Sequence, residues 1–327
     1  MAGETYFNLP TLNSRLTAME FLRDVLTKFR VNKISLQTTF GYEYNFPIWV
    51  QNLANMLNVP YEMMLHDYWT VCPRLRLVQT TTYCNEPPVE VCNECIKSYG
   101  SGVGQVDVHE WRLMYHKLLR GASKVMAPSH DLAHRLKSRY FKDIHIEVIP
   151  HETDLQIEQY KASIPYSEGD VLKIAVIGSI SPDKGSLIIR DMAKHCADKN
   201  LPIKFLVFGN LIDNSAVLRM IPQTDNLRIF NSYEEDMLPD LLKVNPCHIS
   251  FFGALWPETY SYTLSHAFKA GLYPVAFDIG AIAERIRERN FGTVIPFSMK
   301  DDIPLLVTCL QEIAKDKEGR HDFNGMV

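Results

Sequence analysis

Apolar runs of four to six residues alternate along most of this chain with stretches whose apolar positions recur at three- and four-residue spacing. That is the pattern of strands and amphipathic helices taken in turn. It predicts a helix from Leu12 to Phe29, a strand from Lys33 to Gln37, a helix from Phe46 to Leu57 and a strand from Tyr61 to Leu65. Residues 70 to 105 break the rhythm: they are rich in Pro, Cys, Thr and Gly and read as a long loop pinned by cysteines. The rhythm returns with a helix from Val108 to Leu119, a strand from Lys124 to Ala127 and a helix from Leu132 to Tyr140. After the polar stretch Glu152 to Asp170 come five further apolar runs, at Leu172 to Ile177, Ile203 to Phe208, Leu227 to Phe230, Ile249 to Phe252 and Tyr273 to Phe277, with helical patterns between them. Strand, helix, strand in this order implies parallel sheets, which take their ligands at the carboxyl ends of strands. The fold class is therefore α/β with two Rossmann-like domains, residues 1–155 carrying the Cys-rich loop and residues 156–327 forming a second, doubly wound sheet.

Length agrees, since 327 residues at roughly 150 per domain make two cores. Hydrophobic residues are 46% of the chain, yet no run of about 18 apolar residues occurs, so nothing reads as a membrane span. The opening MAGETYFNLP lacks a basic segment followed by an apolar one, so no export signal is read and a cytoplasmic location is expected. A net charge of −4 excludes a general nucleic-acid surface. Seven cysteines without an export signal read as thiols or metal ligands. Cys72, Cys84, Cys92 and Cys95 cluster, and Cys92-Asn-Glu-Cys95 has the spacing of half a structural zinc site; the alternative is reduced thiols in a loop.

Glu258 is the residue whose setting suggests chemistry. It follows the strand at Ile249 to Phe252 and the loop Gly253 to Pro257, and it precedes a helical run from Tyr262 to Ala270 that Gly271 closes. A helix start presents N–H groups without helical partners and a positive dipole end, which suits a phosphate. A carboxylate beside it suits sugar hydroxyls, whereas the plain alternative is an acid that only favours the helix dipole. Lys184, in Ser181-Pro-Asp-Lys-Gly185, follows a strand and the Gly178 turn, where it offers a point charge to a leaving phosphate rather than acting as one more solvated lysine. His66 ends the strand at Tyr61 to Leu65, where a sugar or acceptor contact competes with an ordinary structural hydrogen bond. Trp69 and Trp256 either line the same region or pack in cores, and Asn231 to Tyr233 is a candidate border for a nucleobase.

The stretch P-E-x-x-S-Y-T-L-S-x-A-x-x-A-G-L-x-P-V-A-F-D from Pro257 to Asp278 resembles the donor-site signature of retaining glycosyltransferases of family 4, which have the GT-B fold. Lys173-Ile-Ala-Val-Ile-Gly-Ser-Ile-Ser-Pro-Asp-Lys-Gly185 is similar to the opening of that family's donor domain. Leu65-His66-Asp67-Tyr68-Trp69, Cys72-Pro73-Arg74, Pro128-Ser129-His130 and Val148-Ile-Pro-His-Glu152 resemble parts of its acceptor domain, the bacterial O-antigen and surface-polysaccharide branch above all. The resemblance implies transfer of a sugar from a nucleotide diphosphate to a glycan or lipid-linked acceptor, with retention and without a catalytic metal, at the cytoplasmic face of a membrane. It implies that Glu258 binds sugar hydroxyls, that the N–H groups of Tyr262 and Thr263 meet the diphosphate beside Gly178 and Ser179, that Lys184 neutralises the leaving group, and that His66 serves the acceptor side. Two departures stand out. His266 occupies the place of a glutamate that holds the ribose, and Ser179 stands where an arginine is usual, although the surface-polysaccharide branch tends to a small residue there. The first domain also lacks the family's opening strands and Gly-rich loop, which reads as a piece of a longer protein or a short member. An inactive GT-B module that binds a nucleotide sugar or glycan is therefore the rival reading. A nucleotide-linked epimerase or dehydrogenase is disfavoured, because no G-x-G-x-x-G follows the first strand of either unit.

Overall fold

The apolar runs become the strands of two parallel sheets in the computed structural model, which describes residues 16–152, 159–214, 219–231 and 233–316. Leu12 and the three residues after it, at the start of the first expected helix, and Ser232, in the proposed nucleobase border, lie outside the described residues. The chain divides into two units, one of Met1–Leu75, Pro87–Pro128 and Ala133–Ile149, the other of Arg76–Glu86, Ser129–Leu132 and Pro150–Val327.

In the first unit, β1 (Ile34–Leu36), β2 (Tyr61–Met64), β3 (Lys124–Ala127) and β4 (Glu147–Val148) lie in that order, all parallel. The helices α1 (Leu16–Lys28), α2 (Phe46–Leu57), α3 (Val89–Tyr99), α4 (Val108–Gly121) and α5 (His130–Arg139) alternate with them. Pro47 in the first turn of α2 needs no helical N–H partner, and Asn58, at φ 52°, takes the left-handed conformation that ends the helix. Leu22, Leu26 and Leu53 pack α1 on α2. Trp69 is buried edge-on between Phe40 and Trp111, both 5.0 Å away between ring centroids, and the Trp111 indole N–H donates to the Trp69 carbonyl at 2.7 Å. Trp69 is thus core.

The second unit contains β5 (Leu172–Ile177), β6 (Ile203–Phe208), the short antiparallel pair β7 (Ile212–Asn214) and β8 (Arg219–Met220), then β9 (Leu227–Ile229), β10 (Ile249–Phe252), β11 (Tyr273–Phe277) and β12 (Thr293–Ile295). Six of these form one parallel sheet in the order β12-β11-β10-β5-β6-β9. The helices α6 (Ser186–Asp198), α7 (Leu238–Val244), α8 (Tyr262–Lys269), α9 (Gly280–Arg289) and α10 (Ile303–Lys315) intersperse with the strands, and apolar clusters pack the sheet. β5 leads to β6 and β9 on one side, after which the chain returns to place β10 on the other. The strand order therefore reverses between β5 and β10, and open α/β sheets hold their ligands outside the carboxyl ends of such a pair.

Residues 70 to 105 are not the structureless loop that their composition suggests. They contain α3, and the segment Arg76–Glu86 turns back on itself through the bridge Val78–Tyr83 and groups with the second unit.

Candidate functional site

The carboxyl ends of β5 and β10 carry the two segments singled out in the sequence. After β5, Gly178 adopts φ +114°, and a Cβ there would lie 3.1 Å from the Thr263 methyl group, so the turn and the start of α8 approach closely. After β10, the Glu258 N–H donates to the Trp256 carbonyl at 2.9 Å, while its own carbonyl accepts from the Ala281 N–H at 2.8 Å. Gly280 makes that second contact feasible. Its φ is +68°, and a Cβ would sit 2.7 Å from both the Glu258 nitrogen and the Pro257 carbonyl carbon, closer than packed atoms come.

The backbone so clamped aims Glu258 at Lys184. Nζ lies 3.6 Å from Oε1, with the carboxylate side chain 12% exposed and the lysine 38%. Burial pushes the Glu258 carboxyl above its ordinary range, and Lys184 opposes that shift. Lys184 ends a short 3-10 turn, Pro182–Lys184, whose Asp183 is buried. Asp183 accepts from the Ser181 hydroxyl at 2.6 Å and from Arg76 Nη1 at 2.6 Å, and its carbonyl takes the Leu255 N–H at 2.8 Å. The loop after β5 and the loop after β10 are therefore tied together beneath the ion pair.

The third wall is the start of α8. Ser261 caps it, accepting from the Leu264 N–H at 3.3 Å, and lies 3.1 Å from the Thr263 hydroxyl. Arg285 is buried behind the cap: Nη1 donates to the Ser261 carbonyl at 2.7 Å, Nη2 to the Ser265 hydroxyl at 2.8 Å, and the guanidinium lies 4.2 Å over the Tyr260 ring. A permanent positive charge thus stands behind the positive end of the helix dipole. Lys184, Arg76, Arg285 and the helix start balance Glu258 and Asp183, an arrangement able to hold a doubly charged anion with a carboxylate left for hydroxyl donors.

In the first unit, the ends of β1 and β2 bring Gln37 and His66 together, His66 Nε2 lying 3.3 Å from Gln37 Oε1. Burial lowers the His66 pKa. Next to it, Asp67 accepts from the Trp69 N–H at 2.7 Å, and its burial pushes the carboxyl up to about 6. The Tyr115 hydroxyl donates to Thr39 at 3.0 Å, and burial pushes this phenol well above its usual range.

No protein-family model and no curated protein sequence matches the chain. Solved structures do. A sucrose-phosphate synthase from Thermosynechococcus elongatus superposes with a TM-score of 0.61 at 13% identity, over 91% of this chain and 68% of its own. Anabaena HepE, solved with UDP-glucose, gives 0.54 at 13% identity over 93% of this chain and 77% of its own. The pneumococcal O-GlcNAc transferase GtfA, solved with UDP and GlcNAc, gives 0.56 at 11% identity over 92% and 54%. This chain has the GT-B glycosyltransferase fold. It spans between about half and three-quarters of the length of these proteins.

Within the GT-B fold, Gly178, Lys184, Glu258 and Thr263 come together at the strand-order reversal of the second unit. Ser179 is exposed just after Gly178, Tyr262 is the exposed first residue of α8, and His266 lies one turn further along that helix, partly buried. His66 belongs to the first unit. Trp256 is buried, which favours the core reading made for it. Among the described residues, no helix is long and apolar enough to cross a membrane.

Cys92 and Cys95 are one turn apart on α3, and the Cys92 thiol donates to the Pro87 carbonyl at 3.6 Å. Cys72 sits with the first unit and Cys84 with the second. Among the described residues, no three His, Cys, Asp or Glu side chains gather as metal ligands do.

Three charged residues of the site went unread in the sequence. Arg76 lies in the apparent loop and meets Asp183 across 107 positions, a distance no local pattern spans. Asp183 reads in the sequence only as the neighbour of Lys184. Arg285, in the highly charged run Glu284 to Arg289, reads as one more solvated residue, although its place three positions after the apolar Ile282 was a signal that it faces inward.

Proposed function

We propose that this protein is a glycosyltransferase that takes a sugar from a nucleotide diphosphate and passes it to a glycan or lipid-linked acceptor with retention of configuration. The observation that carries the reading is the Lys184–Glu258 pair, set between the Gly178 turn and the capped start of α8 where the strand order of a GT-B sheet reverses. Glycosyltransferases of the same fold that have been solved with UDP, or with UDP-glucose, support it.

In this reading the diphosphate sits at the first N–H groups of α8, those of Tyr262 and Thr263, opposite the Gly178 turn. The side chain of Lys184 exchanges Glu258 for the leaving phosphate and offsets the charge that develops there, so that no divalent ion is called on. Glu258, released from the lysine, accepts hydrogen bonds from sugar hydroxyls. His266 meets the ribose with one hydrogen bond where a carboxylate would offer two acceptor oxygens. His66 and Asp67 serve the acceptor.

The test is a thermal-shift and calorimetric panel of nucleoside diphosphates and their sugars, followed by a hydrolysis or transfer assay with the tightest binder. A ligand of the native state raises the melting temperature. Binding with turnover supports the transferase, binding without turnover supports a nucleotide-sugar-binding module, and no binding removes both.

A further inference from the structure

Resting on that reading, we propose that the segment Arg76–Glu86 is part of the donor site and that Arg76 is a second phosphate-binding cation, partner to Lys184. Arg76–Glu86 is read by its sequence as loop, yet it is fixed at both ends of a short turn. Val78 bridges Tyr83, the Cys84 N–H donates to the Leu77 carbonyl at 2.9 Å, and the Tyr83 N–H donates to the Leu255 carbonyl at 2.7 Å. Leu255 is in turn held by the Asp183 carbonyl, so the turn is seated on the loops that carry Lys184 and Glu258.

This seating brings a guanidinium to the edge of the ion pair. Nη1 of Arg76 donates to Asp183 Oδ2 at 2.6 Å, and the side chain stays 45% exposed. The Arg76 charge also reaches Glu258, whose carboxyl pKa it pulls down. Asp183 occupies one N–H of five, and the planar fork retains Nε and Nη2 for an anion. A diphosphate carries at least two negative charges and meets the carboxylates of Glu258 and Asp183, while Lys184, Arg285 and the helix dipole supply about two and a half positive ones. Arg76 narrows that gap. Because Ser179, the exposed residue after the Gly178 turn, carries no charge, the second cation comes from a segment about a hundred positions upstream.

The experiment is calorimetry on the full chain with UDP, GDP, ADP and the three matching nucleosides, using wild type, Arg76→Gln, Arg76→Lys and Asp183→Asn. Phosphate binding predicts that Arg76→Gln loses roughly tenfold or more for the tightest diphosphate while the nucleoside changes less than about twofold, with Arg76→Lys recovering part of the loss. It also predicts that Asp183→Asn binds the diphosphate as well as wild type or better, because removing a competing carboxylate frees the guanidinium. If Arg76 only pins the Asp183 turn, Arg76→Gln and Asp183→Asn weaken the diphosphate and the nucleoside alike, and both lower the melting temperature; that result overturns the proposal. Unchanged diphosphate affinity in Arg76→Gln overturns it too, with the donor-site reading intact. If wild type binds no diphosphate, the donor-site reading falls, and the proposal with it.

Discussion

The two sheets differ in depth, and their candidate sites differ with them. In the second unit the central strands are buried almost throughout: every residue of β10 is inside, and burial in β5 and β6 is relieved only at Lys173 and Lys204. In the first unit the inner strands are less completely buried, three of four residues in β2 and two of four in β3, and of the edge strands β1 buries only Leu36 and β4 buries neither residue. Strands buried on both faces hold the loops at their carboxyl ends in fixed positions, so backbone groups serve as parts of the site. There, Gly178, the clamped Glu258 and the start of α8 do so. The first unit relies instead on side chains, the exposed Gln37 and the partly buried His66 and Asp67, whose pKa values burial shifts. The difference teaches that the donor-like site is sensitive to backbone geometry and the other site to charge.

Gly280→Val attacks the backbone half of that contrast and should have the largest effect. A side chain at φ +68° that also meets Glu258 and Pro257 at 2.7 Å should cost roughly 2–5 kcal/mol, from strain and overpacking together. Urea melts read the loss, and any folded fraction should show little donor binding. A melt like that of wild type would mean that Glu258 is not held by this contact.

Lys184→Ala tests charge at the same site. Removing a charge-assisted contact to phosphate should cost roughly 1.5–3 kcal/mol, or about 10- to 150-fold in diphosphate affinity, with the nucleoside scarcely changed. Equal losses for both ligands would remove the phosphate role.

Asp67→Asn addresses the first unit, and the expected sign is a gain. Burial pushes the folded carboxyl up to about 6 from the 3.8 of an ordinary aspartate, so the folded state holds its proton more tightly than the unfolded chain. Wild type therefore loses stability as pH rises from about 4 to about 6, by up to roughly 1–3 kcal/mol. Asparagine keeps an acceptor for the Trp69 N–H without the charge. The variant should melt higher than wild type at pH 7.5 and level with it near pH 4; equal melting at both would show that water reaches Asp67.

The smallest effect belongs to the cysteines. Cys92→Ser with Cys95→Ser should change stability by less than about 1 kcal/mol, and elemental analysis of wild type should find no stoichiometric zinc. One zinc per chain, lost in the variant, would support the structural-zinc reading of Cys92-Asn-Glu-Cys95 instead.

What could be read in the sequence follows the same contrast. Lys124–Ala127, Leu172–Ile177, Ile203–Phe208, Ile249–Phe252 and Tyr273–Phe277 match the strands that the apolar runs predict, and Phe46–Leu57 matches its helix, because burial on both faces or along one stripe leaves an unbroken signal. β4 and β12 are too short for any run to mark them. α3 was hidden by Pro87, Pro88 and two cysteines, and its single buried residue, Ile96, gives no periodic stripe. Glu258 and Lys184 were legible because each follows a strand. Arg76 was not, since its role depends on a contact between distant segments, and Arg285 was not, since an arginine in a charged run does not announce burial.

The most direct test of the donor site separates the sugar from the diphosphate. Wild type and Glu258→Gln are titrated by calorimetry with UDP and with UDP-glucose, or with the diphosphate and sugar that the panel prefers. The assignment predicts that Glu258→Gln binds the diphosphate as well as wild type or better, because Lys184 no longer has a carboxylate to leave, while it loses the added affinity that the sugar gives wild type. A variant that binds both ligands like wild type, or a wild type that binds neither, would contradict it.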